Sequence, residues 1–317
     1  MKKIITIGEV LVEIMALETG HGFLTPIDLT GPYPSGAPAI FIDQVAKLMQ
    51  PCGIVSCVGD DDFGAVNITR LRNDGVDVSA VEVTSEAVTG SAFVRYRGDG
   101  QRDFVFNIKH SACGLIDLTP AAEELIAGAD HLHVMGSALF SDKIVAVIRA
   151  AIDRVKAKGG TVSFDPNVRK EIFRLPGMRE ALDYVLARTD LFLPSGSELF
   201  LFTEATTENA ALAEILARGV KAIVLKRGAE GASFHDPHGD HHAPAFAVEE
   251  IDPTGAGDSF SATFVTCWLR GMDPSHALTL ANASGARAVS FKGPMEGTST
   301  RPELDAFLAE HNHGVPA

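Results

Sequence analysis

Four short apolar runs in the second half of the chain constrain its fold most: HLHVMG (131–136), TVSFDPN (161–167), LFLPS (191–195) and AIVLKRG (222–228). Between them lie segments with apolar residues at helical spacing, Ile144 to Lys156, Glu180 to Ala187 and Ala210 to Ala217. Parallel strands need long crossovers, and helical crossovers cover both faces of a sheet. The alternation therefore predicts an α/β fold with a doubly wound, mostly parallel sheet. Ligands of such sheets sit beyond the carboxyl ends of the strands. Polar residues follow these runs: Asp165, Asn167 and Arg169, then Ser195 and Glu198, then Lys226. The 317 residues, 46% hydrophobic and 21% charged, suffice for one large core and a smaller appendage.

The stretch IDPTGAGDSFSATFV (251–265) carries the chemistry. Asp252-Pro253 breaks the preceding structure, Gly255-Ala256-Gly257 has almost no side-chain bulk, and Phe260, Phe264 and Trp268 then recur at helical spacing. Glycines let backbone approach a ligand, and the first amides of a helix lack intrahelical partners, so a turn of this kind makes an anion hole. Asp258 stands at its edge, ionised and able to accept a proton from a hydroxyl. The same letters also spell an ordinary tight turn with a capping aspartate.

A second small-residue turn begins at Ser35 and Gly36 and runs into a helix from Pro38. Residues 90–107, GSAFVRYRGDGQRDFVFN, alternate on either side of Gly98-Asp99-Gly100 and read as a hairpin. With the segment around residues 12–35 this hairpin predicts a small sheet standing off the core, built from about residues 12–35 and 90–110. Arg95, Arg97 and Arg102 read as its solvated face. HDPHGDHH (235–242) offers four histidines to a metal, but Pro237-His238-Gly239-Asp240 is turn chemistry.

A formal net charge of −14 opposes a nucleic-acid or anionic-membrane partner. Cys52, Cys57, Cys113 and Cys267 form no CxxC pair and read as reduced thiols rather than zinc ligands. The start MKKIITIG passes into a strand, and no stretch reaches membrane-spanning length, so a cytoplasmic location is expected.

DPTGAGDSF resembles the second signature of the ribokinase-like (PfkB) family of carbohydrate kinases, with Thr263 standing where Ala or Gly is preferred. SGAPAIFIDQVAKLM resembles the first signature, with Ser35 for the first of two glycines and Ile40 for an Asn; GIVSCVGDDDFG fits it through Gly59, Asp60 and Gly64. DPNVR matches D-x-N-x-R, KRGAEG matches K/T-x-G-x-x-G, and SGSE matches N-x-x-E at Glu198 but not at Ser195. The resemblance covers essentially the whole chain and implies one ribokinase-like domain over residues 1–317, with the small sheet as its lid.

The resemblance also implies a role for each of these residues. Asp258 is the catalytic base, with Gly255, Ala256, Gly257 and Arg169 holding charge on the transferring phosphoryl group. Glu13, Gly36, Asn107, Lys109 and Asn167 contact the substrate, and Ser195, Lys226, Gly228, Gly231 and Asn282 the nucleotide. Glu198 reaches magnesium through water, and a monovalent cation such as K+ lies by Asp252 and Ser290. Glu13 stands where the family usually has an Asp, one methylene shorter, and its alternative is a solvated edge-strand glutamate. ATP and Mg2+ are the implied cofactors, and pairing of two copies through the lid is an implied assembly. The implied activity is phosphorylation of a terminal primary hydroxyl. Kinases of this family that act on 2-keto-3-deoxygluconate carry an Arg before a Ser-Ala pair, whereas FVFNIKHSA has Lys109 and His110 there. A ketohexose, tagatose or fructose, is therefore the expected substrate, with the keto-deoxy acid, adenosine or a non-catalytic regulator as alternatives.

Overall fold

The computed structural model describes residues 1–98, 102–168 and 177–311. In chain order its strands are β1 (Ile4–Ile7), β2 (Leu11–Thr19), β3 (Leu29–Ser35), β4 (Cys52–Gly59), β5 (Val81–Thr84), β6 (Gly90–Tyr96), β7 (Arg102–Asn107), β8 (His131–Met135), β9 (Thr161–Asp165), β10 (Leu191–Phe192), β11 (Ala222–Lys226), β12 (Ala232–Asp236) and β13 (Gly239–Ala243). The described helices are α1 (Ala37–Lys47), α2 (Asp62–Asp74), α3 (Pro120–Ala127), α4 (Asp142–Ala157), α5 (Met178–Leu186), α6 (Glu208–Ala217), α7 (Ala256–Leu269), α8 (Pro274–Val289) and α9 (Arg301–Glu310).

Nine strands form one sheet in the order β13-β12-β11-β10-β9-β8-β1-β4-β5. All neighbours from β5 to β11 are parallel, whereas the pairings β11–β12 and β12–β13 are antiparallel. The edge hairpin β12–β13 is the HDPHGDHH segment, turned at Pro237-His238. Period-two alternation sends successive residues of each strand to opposite faces. Ile223 and Leu225 of β11 join a core under α3, α4, α5 and α6. Ala222 and Val224 join a second core under α1, α7, α8 and α9. Both faces are thus covered by helices, and the doubly wound expectation holds. Among the described residues no helix is long and apolar enough to cross a membrane. All four cysteines are free and buried.

A separate sheet, β3-β2-β6-β7, is built from strands within residues 11–35 and 90–107. β2 pairs parallel to β6, while β2–β3 and β6–β7 are antiparallel. Its inward residues Phe104 and Phe106 are half-buried, and the intervening Val105 is 57% exposed. Asp99 and Gly100, the expected turn of this hairpin, lie outside the described residues.

Two histidines of β8 are fully buried. His131 lies 2.7 Å from both Thr161 Oγ1 and Ser163 Oγ, and His133 lies 2.6 Å from Ser163 Oγ with its ring stacked on Phe41 at 3.7 Å. Burial holds both imidazoles neutral, lowering His131 from 6.5 to about 3 and His133 well below its ordinary value. The unfolded chain therefore binds protons that the folded chain refuses. This contribution to stability is complete above about pH 6.5 and is lost as the pH falls toward 3. At pH 5 His131 should cost about 2 kcal/mol, and His133 should add a cost of the same sign. Urea midpoints measured at pH 7 and pH 5 check this; an unchanged or higher midpoint at pH 5 would refute the assignment.

Candidate active site

The carboxyl ends of β1, β8, β9 and β11 open into one cavity of about 850 Å³, roofed by the small sheet. Each strand end contributes a polar residue, Glu9 after β1, Ser137 after β8, Asp165 from β9 and Lys226 from β11. Packing behind these residues fixes where they stand. Phe164 packs against Phe192 and Phe202 at centroid distances of 5.7 and 5.9 Å, and Phe192 against Phe202 at 5.3 Å. These aromatic contacts clamp the ends of β9 and β10 to the short 3-10 turn Gly196–Phe202.

Asp258 lies in the first turn of α7, 8% exposed, and Asn167 Nδ2 donates to its Oδ1 at 3.1 Å. Asn167 holds a φ of +38°, a conformation uncommon for a residue with a side chain, and its amide donates to Asp165 Oδ1 at 3.2 Å. Gly255 precedes α7 with φ +82°, and a Cβ there would stand 2.4 Å from the Pro294 carbonyl oxygen. Only glycine fits that turn. Gly257 is exposed to the cavity, where helix amides meet the α7 dipole. Ala256 is half-buried and stands outside the lining.

Lys226 forms an ion pair with Asp165 Oδ2 and lies 3.3 Å from Ser261 Oγ, while Ser261 Oγ donates to the same carboxylate at 2.8 Å. Burial opposes the charge on Lys226, but Asp165, then Glu198 and Asp258, outweigh it and raise its pKa above the ordinary lysine value. The ammonium is therefore permanent. Glu198 accepts from the Ser195 amide at 2.7 Å and the Val168 amide at 2.8 Å, tying the DPN loop to the 3-10 turn. Burial and then the neighbouring Asp165 charge raise its pKa. Arg169 lies outside the described residues.

On the side of the small sheet, Glu13 is 3% exposed and lines the cavity, so it is no solvated edge residue. Ser35 Oγ donates to its Oε2 at 3.1 Å, and Thr254 Oγ1 lies 3.4 Å from its Oε1. Two departures from the family pattern meet in the first of these contacts, because the hydroxyl of Ser35 fixes the longer carboxylate. Ile40, another departure, packs beneath the α7 turn, its Cγ2 3.2 Å from where a Gly255 Cβ would stand. Gly36, at the start of α1, and Asn107 and Lys109, at the end of β7, also line the cavity.

The arginines of the small sheet divide. Arg95 and Arg97 pair with Asp103 at 2.7 and 2.5 Å, and Arg97 reaches the cavity rim. Arg102 leaves the solvated face expected of it and points inward, its Nη1 donating to Thr254 Oγ1 at 2.5 Å. Alternation along β7 places it on the same face as Phe104 and Phe106.

The residues assigned to the nucleotide separate into two groups. Ser195 and Lys226 line the cavity. Gly228 is exposed with φ +55°, whereas Gly231, φ +91°, is buried, and a Cβ there would stand 2.2 Å from the Ala243 carbonyl oxygen. Asn282 Nδ2 donates to the Ala243 and Pro244 carbonyls, both at 3.0 Å. Gly231 and Asn282 thus shape the 243–245 segment and lie outside the cavity's lining. Asp252 is fully buried, accepting from the Thr254 amide at 3.0 Å and the Gly293 amide at 3.1 Å, and Ser290 Oγ donates to the Ala286 carbonyl at 2.9 Å.

In the edge hairpin, Ser233 Oγ lies 2.7 Å from His235 Nε2, and His235 Nδ1 lies 2.7 Å from Asp240 Oδ1. Arg227 also donates to Ser233 Oγ, at 2.5 Å. This relay stitches the hairpin. No group of three or more His, Cys, Asp or Glu among the described residues could hold a metal.

Sequence reasoning passed over Glu9, Ser137 and Thr254, and left Asp165 without a role. Glu9 Oε1 accepts from Ser137 Oγ at 2.8 Å. Its signal was a carboxylate directly after the Gly8 that ends β1.

The profile of the family described as pfkB family carbohydrate kinase matches residues 1–301. The chain is 30% identical to a 2-dehydro-3-deoxygluconokinase of Thermoproteus tenax over 97% of this chain and 94% of that protein. It is 31% identical to a fructokinase of Klebsiella pneumoniae over 96% and 99%. Among solved structures, a putative ribokinase II from E. coli in complex with ATP and Mg2+ superposes with a TM-score of 0.94 at 49% identity, covering 98% of this chain and 100% of that one. The strand-end cavity, the glycine turn before Asp258 and these likenesses agree: the chain belongs to the pfkB family of carbohydrate kinases.

Proposed function

We propose that this protein transfers the terminal phosphoryl group of ATP to the terminal primary hydroxyl of a small sugar. The observation that carries the reading is one cavity with Asp258, the α7 amides and Lys226 at its floor and Glu13 on its lid side. Asp258 accepts the hydroxyl proton, Asn167 orients its carboxylate, and the Gly255, Ala256 and Gly257 amides face the negative charge of the phosphoryl group. Arg169 belongs to the same proposal through its place in DPNVR.

ATP and magnesium fit the residues present: the α7 turn leaves Gly257 open, and Lys226 adds a fixed cation 3.9 Å from where a Gly257 Cβ would stand. When bound, magnesium neutralises phosphate charge during transfer. Glu198 is the carboxylate placed to meet its hydration shell. Ser195 and Gly228 lie on the nucleotide side, with Gly231 and Asn282 shaping the segment beside it. A monovalent cation near Asp252 and Ser290, a cytoplasmic location and pairing of two copies across the lid complete the reading. Exposed Leu17 and Val105 on the small sheet support that pairing.

The substrate we favour is a ketohexose, tagatose or fructose, held by Glu13, Gly36, Asn107, Lys109 and Asn167. A second reading, 2-keto-3-deoxygluconate, is supported by the inward Arg102, whose guanidinium fork could meet a carboxylate. Comparing kcat/KM across tagatose, fructose, adenosine and 2-keto-3-deoxygluconate decides between them. A ketohexose is expected to lead by at least ~10-fold, about 1.4 kcal/mol in transition-state binding. A lead by the acid would transfer the assignment to the second reading.

A further inference from the structure

We propose that Arg102 is a positioning residue: it latches the lid onto the turn that begins the anion hole, and so couples sugar enclosure to the alignment of α7. The inference rests on the kinase reading but concerns a contact that reading does not use. Arg102 is the first residue of β7, its side chain 24% exposed and its guanidinium carbon 5.5 Å from the centre of the Phe104 ring. From there Nη1 crosses to the core, donating to Thr254 Oγ1 at 2.5 Å and approaching Asp252 Oδ1 at 3.9 Å.

Thr254 is well placed to transmit this contact. Its own hydroxyl proton goes to Asp252 Oδ1 at 2.8 Å, which leaves the oxygen lone pairs for the arginine. Asp252 in turn accepts from Gly293. The next residue, Gly255, is the N-cap of α7, so whatever holds Thr254 also holds the amides that face the phosphoryl group. Glu13 lies 3.4 Å from the same hydroxyl, so lid strand β2, lid strand β7 and the catalytic turn meet at one side chain. A hydrogen bond from a charged donor is strong enough to bias lid closure, and a closed lid keeps water from competing with the sugar for the phosphoryl group.

The test uses R102A, R102K and T254V, with wild-type protein as reference. In R102A the sugar KM is expected to rise about 10-fold, the loss of one charge-assisted hydrogen bond, with the ATP KM within about twofold. The share of ADP formed without sugar phosphate should rise as well. R102K should recover part of the loss, because an ammonium can still reach Thr254 and Asp252. The losses in R102A and T254V should combine less than additively, since both remove the Arg102–Thr254 contact, with the part peculiar to T254V reporting the bond its hydroxyl donates to Asp252. Amide hydrogen exchange in β7 of the free protein gives a readout independent of turnover, expected to be about 10-fold faster in R102A. Unchanged sugar KM and product partition in R102A, or unchanged β7 exchange, would overturn the latch. Absence of turnover in wild-type protein would overturn the kinase reading instead, leaving the exchange experiment to judge the latch.

Discussion

Asp258→Asn should lower kcat by roughly 10² to 10⁴, the usual contribution of a positioned general base, with the KM for ATP little changed. The amide has the shape of the carboxylate, so the first turn of α7 and the contact with Asn167 Nδ2 at 3.1 Å need not be lost. What is lost is the proposed acceptor for the hydroxyl proton and one negative charge near Lys226. Phosphoryl transfer proceeds through a loose transition state in which the attacking oxygen carries little bonding, so positioning supplies much of the rate and the loss should fall in the lower part of that range. Steady-state kinetics with varied ATP and sugar measure both constants. Turnover near wild type would remove Asp258 from its role, and a parallel rise in the ATP KM would make it a nucleotide ligand instead.

Lys226→Met should be the most damaging single change to the site's stability. Asp165 is 1% exposed, and without the ammonium its carboxylate keeps, among the described residues, the Ser261 hydroxyl and the Asn167 amide. Leaving a buried charge unpaired typically costs about 3–5 kcal/mol. Glu198 would also lose the cation that opposes its burial and its Asp165 neighbour, so its pKa should climb further. Turnover should fall on the order of 10², since a fixed cation facing the α7 amides is removed. Adding Asp165→Asn removes the orphaned charge and should restore much of the stability but not the turnover. Urea denaturation and steady-state rates on the single and double variants check this. A single variant as stable as wild type would show that the pair is not held as the structure has it.

Much of this was legible in the chain because it depends on neighbours in sequence. Strand periodicity, the turn chemistry of the β12–β13 hairpin and the glycine turn before Asp258 are local, and local preferences and the fold agree there. The parts that escaped are long-range. Glu198 grips an amide 30 residues away at Val168, and Asn282 reaches carbonyls 38 and 39 residues away, neither of which spacing could foretell. Arg102 was misread for a different reason: a two-residue period says that alternate side chains share a face, but not which face meets the core. The departures at Glu13 and Ser35 look unrelated at a separation of 22 residues, and become one hydrogen bond once β2 and β3 pair.

Phosphorus NMR of wild-type protein with magnesium, ATP and a ketohexose tests the central claim most directly. The expected result is one new phosphomonoester, coupled to the methylene protons of the terminal carbon and growing in step with ADP. ADP accompanied only by inorganic phosphate, or ATP left intact with every acceptor offered, would contradict it.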